Sequence, residues 1–211
     1  DLTENGKLEA KKAGDLIKKS NIKIDYYYSS YQIRANHTLK IIQDSLNDKK
    51  DFERAWELNE RHYGELTGLN KAEMSKKLGQ EKVHQFRRSW NLRPKPLSIT
   101  SKFHPKNINI YKDIPNEKIP DTESLKDTFK RVTYYFDTKI KDKIKDSNIL
   151  ISAHGNSVRA LCKYLLKLDE KQISKLEIPT GNPLLISLDE NFNVITCKYL
   201  DQDRAKDLLV F

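Results

Sequence analysis

The apolar positions of this chain switch repeatedly between helical steps of three and four and short continuous runs. Ala10, Ala13 and Ile17 recur at helical spacing behind Thr3, a residue type that caps helix N-termini, so a first helix is expected there. Ile24 to Ser29 reads as a strand, and Tyr31 to Leu46 as a second helix with Ala35, Leu39, Ile42 and Leu46 on one face. Phe52 to Leu58 carries a fainter strand pattern. Residues 59–71, with two glycines and no long apolar periodicity, read as an ordered loop, and Ala72 to Trp90 as a helix ending near Arg87 and Arg88.

From Asn91 to Asp121 the chain carries five of its seven prolines and no helical pattern. Neither flank looks self-sufficient, so this stretch is expected to be an insertion or lid rather than a linker between domains. Thr122 then opens a helix with Leu125, Phe129, Val132, Phe136, Ile140 and Ile144 at steps of three and four. Asn148 to Ala153 reads as a strand and Ser157 to Lys167 as a helix. Leu184 to Leu188 and Val194 to Tyr199 are two strands able to pair across the turn at Asp189, Glu190 and Asn191. Strands alternating with helices imply an α/β sandwich with a mostly parallel sheet, here as a single domain over residues 1–211.

The net charge of +9 suits an anionic small molecule, a nucleic acid or an acidic membrane surface equally. Much of the excess sits in helical stretches such as Lys139 to Lys145, where acids and bases alternate as on an ordinary solvated face. No basic segment is interleaved with stacking aromatics, which argues against nucleic acid. Two cysteines, Cys162 and Cys197, have no metal-site spacing and read as reduced core residues of a cytosolic protein. No signal peptide and no apolar run of membrane-spanning length is found. The first residue is not Met, and Asp1 to Gly6 reads as the lead-in to a helix, so a preceding segment is expected.

Candidate chemistry concentrates in two stretches. Ile149-Leu150-Ile151 stops at His154 and Gly155 before a helical pattern begins, and strand ends facing helix N-termini are where open α/β folds bind anions. His154 could donate to a phosphoryl oxygen there; it could equally cap the helix or pack against a neighbour. The surrounding residues lack the final glycine of a Gly-x-Ser-x-Gly elbow, which argues against a serine hydrolase. In the other stretch Glu60 stands beside Arg61, with Tyr63 following: a usable proton donor and acceptor, or an ordinary surface ion pair. Arg34 lies near a helix start, from which it can reach back over a strand end, or it is a solvated arginine. Lys71, Arg87 and Arg88 could clamp a phosphate or carboxylate, though individually each is a surface base.

Taken in order, Asn59-Glu60-Arg61-His62-Tyr63-Gly64, Gly68-Leu69-Asn70-Lys71, Arg87-Arg88-Ser89, Thr122 to Thr128, Ala153-His154-Gly155-Asn156-Ser157 with Arg159, and Ile178-Pro179-Thr180-Gly181 form a recognisable series. The chain resembles the cofactor-dependent phosphoglycerate mutases of the histidine phosphatase superfamily from about Leu2 to Leu200. The resemblance implies a three-layer α/β/α sandwich with its pocket at the C-terminal strand ends. It implies that Arg34 and His154 hold the transferred phosphoryl group, and that Glu60 exchanges a proton with the substrate hydroxyl. It further implies that Arg61, Tyr63, Lys71, Arg87, Arg88 and Asn156 bind the phosphate and carboxylate of a small phosphorylated acid, with His62 structural. Phosphoryl transfer needs positioning, cations around the oxygens and one proton carrier, and this set supplies them with no metal.

Two features depart from the family. Its nucleophile lies in an Arg-His-Gly motif ending the first strand; His37, His62, His84 and His104 match no such motif, so the first strand and its loop are expected to be missing and the chain alone inactive. Its mobile basic tail is replaced by Asp201 to Phe211, short and apolar at its end, and a poorly covered phosphohistidine is open to hydrolysis. The primary expectation is a mutase interconverting 3- and 2-phosphoglycerate, primed by 2,3-bisphosphoglycerate, cytoplasmic and homodimeric, without nucleic-acid or membrane partners. A phosphatase on the same scaffold and a non-catalytic phosphate-binding protein are the alternatives.

Overall fold

A computed structural model describes residues 1–205, with the side chains of all of these except Lys71 and Lys77. The elements in chain order are α1 (Glu4–Lys19), β1 (Tyr26–Ser30), α2 (Ile33–Leu46), β2 (Glu53–Ala55), α3 (Lys71–Leu78), α4 (Gln80–Arg88), α5 (Leu125–Tyr135), α6 (Lys141–Ile144), β3 (Ile149–Ser152), α7 (Gly155–Leu165), α8 (Glu170–Lys175), β4 (Leu184–Leu188) and β5 (Val194–Tyr199). Thr3 caps α1 as its position predicts, accepting from the Gly6 N–H at 3.1 Å, and Ala10, Ala13 and Ile17 are buried.

β1 runs parallel to both β2 and β3 and lies between them, while β4 and β5 form a separate antiparallel hairpin. The pleat sends alternate residues to opposite faces. Tyr27, opposite Leu150, packs with Ala13, Ile17, Leu39 and Ile42 of α1 and α2. Tyr28, opposite Ile151, packs with Tyr135, Phe136 and Ile140, and with Leu161 of α7. Two apolar cores on the two faces of one sheet make the three layers.

Where the elements differ from expectation, a local cause is visible. The predicted helix over 72–90 is two helices, broken at Gly79 with φ +84°, a conformation that costs glycine little and other residues more. The predicted strand 52–58 is cut to Glu53–Ala55, because a tight 3₁₀ turn at Trp56–Leu58 bends the chain toward the end of β1. Ser124, not Thr122, caps α5, sharing a reciprocal capping box with Asp127. Thr122 instead donates to the Pro94 carbonyl at 2.7 Å. Between α5 and α6 the helix passes through one π-type stretch, Phe136–Ile140.

The proline-rich stretch 91–121 is built from short 3₁₀ turns around its own small core of Tyr111, Ile114 and Ile119, packed on Tyr31 and Trp56. It is tied to the Glu60 loop where Glu65 N–H donates to Lys95 O at 2.9 Å. Gly64 adopts φ +53° at this crossing, and a Cβ there would lie 2.0 Å from Lys95 O, so no larger residue fits without moving the backbone.

Candidate active site

β1 and β3 end side by side, so the residues that follow them converge. His154 occupies the N-cap position of α7, yet its side chain caps nothing. Its Nε2 lies 2.8 Å from Ser30 Oγ and its Nδ1 accepts from Arg34 Nε at 3.2 Å. An arginine Nε can only donate, so Nδ1 carries no proton and Nε2–H donates to Ser30. Burial pushes the His154 imidazole down to about 3, helped by the Arg34 and Arg131 charges. His62, packed edge to face against Tyr111 at 6.3 Å, is pushed down to about 4, again mainly by burial.

These two imidazoles stay neutral in the folded protein and take up protons near 6.5 once unfolded. Stability is therefore fully present above that pH and is lost as pH falls, at up to about 1.4 kcal/mol per group per pH unit. The melting temperature is expected to drop between about pH 6.5 and 5, before carboxylates titrate. A flat profile would show both rings to be solvated.

The Asn59 to Tyr63 loop is held from beneath by a buried ion pair. Arg131 of α5 grips Glu123 through two bonds, Nε to Oε1 at 2.7 Å and Nη2 to Oε2 at 2.9 Å. The same guanidinium donates to the carbonyls of Asn59 at 3.0 Å and Glu60 at 3.3 Å, and Glu123 Oε2 accepts from His62 N–H at 2.9 Å. Asn59 Oδ1 accepts from Tyr31 N–H at 2.9 Å, and Gln32 Oε1 from Glu60 N–H at 3.2 Å. The loop is thereby locked to the β1–α2 connection.

Glu60 Oε1 accepts from Arg61 N–H at 2.7 Å and from Asn156 Nδ2 at 2.9 Å. Asn156 Nδ2 also donates to Tyr63 Oη at 2.9 Å. Arg61 is 2% exposed; its Nε and Nη2 donate to the carbonyls of Glu123 and Leu92, its plane lies over the Tyr63 ring, and Nη1 has no hydrogen-bond partner. Arg34, Glu60, Arg61, Tyr63 and Arg87 line one cavity of about 390 Å³ with Gln32, and Leu66, Met74, Phe103 and Ile108 supply apolar walls. A concave site with three arginines and a carboxylate is chemically suited to an anion that bears a hydroxyl.

Most of the residues singled out in the sequence thus meet: Arg34, Glu60, Arg61, Tyr63 and Arg87 at the cavity, His154 and Asn156 bonded directly behind them. Arg88 is turned away, paired with Glu177 and donating to Leu176 O. Lys71 opens α3, and its side chain lies outside the described residues. Ser30, Gln32, Glu123 and Arg131 are absent from the candidates the sequence offers as site residues; only Glu123 carries a signal, by lying within the Thr122 to Thr128 motif. Among the described residues no group of three or more His, Cys, Asp and Glu could hold a metal ion, and no helix is long and apolar enough to cross a membrane.

The profile of the histidine phosphatase superfamily (branch 1) matches residues 1–104 and 97–199. The chain belongs to this superfamily. Within it, the 2,3-bisphosphoglycerate-dependent phosphoglycerate mutase of Pelagibacter ubique (strain HTCC1062) is 64% identical over 212 residues, covering 100% of this chain and 89% of its own length. That of Buchnera aphidicola subsp. Schizaphis graminum (strain Sg) is 44% identical, covering 95% of this chain and 88% of its own. Among solved structures, a mycobacterial glucosyl-3-phosphoglycerate phosphatase in complex with VO3 superposes with a TM-score of 0.68 at 18% identity, covering 94% of this chain and 85% of that one. The alpha-ribazole phosphatase from Shigella flexneri gives 0.65 at 17% identity, covering 95% and 84%. At such identities these two histidine phosphatase structures share the fold alone, which agrees with the α/β architecture described above.

Proposed function

We propose that the protein is a phosphoglycerate mutase interconverting 3-phosphoglycerate and 2-phosphoglycerate through a phosphohistidine. The observation that carries this reading is the pairing of a proton-handling carboxylate with three cavity arginines, in a chain 64% identical to a relative named as that enzyme. Glu60 Oε1 is occupied by two donors, which leaves Oε2 to exchange the hydroxyl proton. The Arg34 terminal nitrogens, with only Nε engaged to His154, grip the transferring phosphoryl oxygens. An anion that draws Arg34 off His154 Nδ1 also favours a proton on that nitrogen, turning the ring into a second donor.

Arg61, Tyr63 and Arg87 bind the substrate's phosphate and carboxylate, with Asn156 orienting Glu60 and Tyr63. Lys71 joins them in this reading, and Arg88 does so on exchanging Glu177 for substrate. The cavity arginines, and the unpartnered buried Nη1 of Arg61 among them, suit 2,3-bisphosphoglycerate as primer. When bound, that molecule supplies the phosphoryl group that loads the nucleophile. The Arg-His-Gly motif does not occur in residues 1–211, so the reading places the phosphoryl-carrying histidine outside them. Residues 1–211 then form one domain with 91–121 walling the pocket, and the protein acts in glycolysis as a cytoplasmic homodimer without metal, nucleic-acid or membrane partners.

The test is an acid-labile phosphoenzyme assay on the full-length protein with labelled 2,3-bisphosphoglycerate, alongside a His154→Ala variant. Label passed to phosphoglycerate, and greatly diminished transfer in the variant, are expected. Label lost to water would replace the mutase by a phosphatase, and no label at all would leave a binding protein.

A further inference from the structure

The Asn156 amide is the junction of the site, and an arginine behind the cavity decides which way it faces. Arg159, three residues along α7, is 5% exposed and donates from Nη1 to Asn156 Oδ1 at 3.0 Å. Its remaining bonds go to the carbonyls of Arg87 and Ile173, its Nε has no hydrogen-bond partner, and no carboxylate is hydrogen-bonded to it among the described residues. Burying a guanidinium with no carboxylate hydrogen-bonded to it, and only the charge of Glu177 acting from farther off, is a costly way to fill space, since an apolar side chain would pack there without the charge. The arginine's contribution is better sought in what it orients.

Guanidinium nitrogens donate and never accept, so the amide oxygen must face Arg159 and the amide nitrogen must face the site. The two Nδ2 hydrogens then go to Glu60 Oε1 and Tyr63 Oη, each at 2.9 Å. With Arg61 N–H also on Oε1, that oxygen is saturated and Oε2 is left for the substrate. The Tyr63 hydroxyl, having accepted from the amide, keeps its own hydrogen to donate into the cavity it lines.

We propose that Arg159 is a positioning residue: by holding Asn156 Oδ1 it selects the Glu60 oxygen that exchanges the substrate proton and makes Tyr63 a donor to the substrate's phosphate or carboxylate. This rests on the mutase reading of the same site. Without Arg159 the amide is free to turn over, placing its oxygen against the Glu60 carboxylate and drawing the Tyr63 hydrogen away from the substrate.

The test is a double-mutant cycle in the full-length protein with Arg159→Met, Asn156→Ala and their combination, plus Arg159→Lys. Arg159→Met is expected to lower kcat about 10- to 100-fold and to raise KM for 3-phosphoglycerate, because it orphans one site group and misdirects another. In the Asn156→Ala background the same change is expected to alter kcat by less than about threefold, since the residue through which it acts is gone. Arg159→Lys, still able to donate to Oδ1, is expected to recover much of the loss.

Equal losses in both backgrounds, or a folded Arg159→Met enzyme with unchanged kcat, would overturn the proposal. If the Met variant does not fold, a Lys variant that folds yet is as impaired in Asn156→Ala as in wild type overturns it too, and one impaired only in wild type supports it. Calorimetric binding of 3-phosphoglycerate separates this from the function itself. A wild type that binds without isomerising sinks the mutase reading, while binding weakened in the Met variant and restored by Lys still supports the positioning.

Discussion

Arg131→Leu is expected to destabilise the fold by about 3–5 kcal/mol, the loss typical of leaving one member of a buried pair without its partner. The Glu123 carboxylate would remain at 3% exposure with only the His62 N–H to hold its charge, and the carbonyls of Asn59 and Glu60 would lose a donor. Urea denaturation followed by circular dichroism measures this, and a loss under about 1 kcal/mol would show the pair to be solvated. Removing both charges in Arg131→Leu/Glu123→Leu should cost less than the sum of the single changes, because neither ion is then stranded. The Arg131 guanidinium holds the Glu123 carboxyl below its ordinary value despite burial. The stability this contributes is present above the ordinary carboxylate range and is lost as pH falls through the lowered one.

Glu60→Gln is expected to lower kcat about 10²- to 10⁴-fold with little change in KM, the range associated with removing a general acid or base. The structure makes this substitution clean. Arg61 N–H and Asn156 Nδ2 are both donors, so a glutamine would turn its carbonyl oxygen toward them and put its NH₂ where Oε2 stands. Shape and loop geometry are kept while the proton carrier is lost. Steady-state isomerisation of 3-phosphoglycerate measures it, and a kcat within tenfold of wild type would assign the proton transfer to another group.

What the sequence made legible follows from the range over which each interaction acts. The Thr3 cap, the α2 stripe of Ala35, Leu39, Ile42 and the partly buried Leu46, and the β4–β5 hairpin are local patterns, and the structure has each of them. The break at Gly79 was missed because a lone glycine in a helical pattern signals a stop only if the backbone takes positive φ there. Glu60, Arg61 and Tyr63 were recognisable as chemistry, and the structure brings their side chains to one cavity. The groups that hold them were not, because Arg131 reaches the Asn59 and Glu60 carbonyls across 72 and 71 residues and no sequence period encodes such a reach. The pairing of Arg88 with Glu177 is illegible for the same reason, since the two lie 89 residues apart.

The register between β1 and β3, Tyr28 against Ile151 and Ser29 against Ser152, brings Ser30 within 2.8 Å of the His154 ring. A slip of one residue would shift the partners by about 3.3 Å and turn each side chain of the slipped strand to the other face. Tyr27 and Tyr28 would exchange cores, and the serine would leave the histidine. Misregistered molecules would therefore be compact but silent, so turnover per mole counts the correctly threaded fraction of a preparation, where far-ultraviolet dichroism would count every folded chain alike.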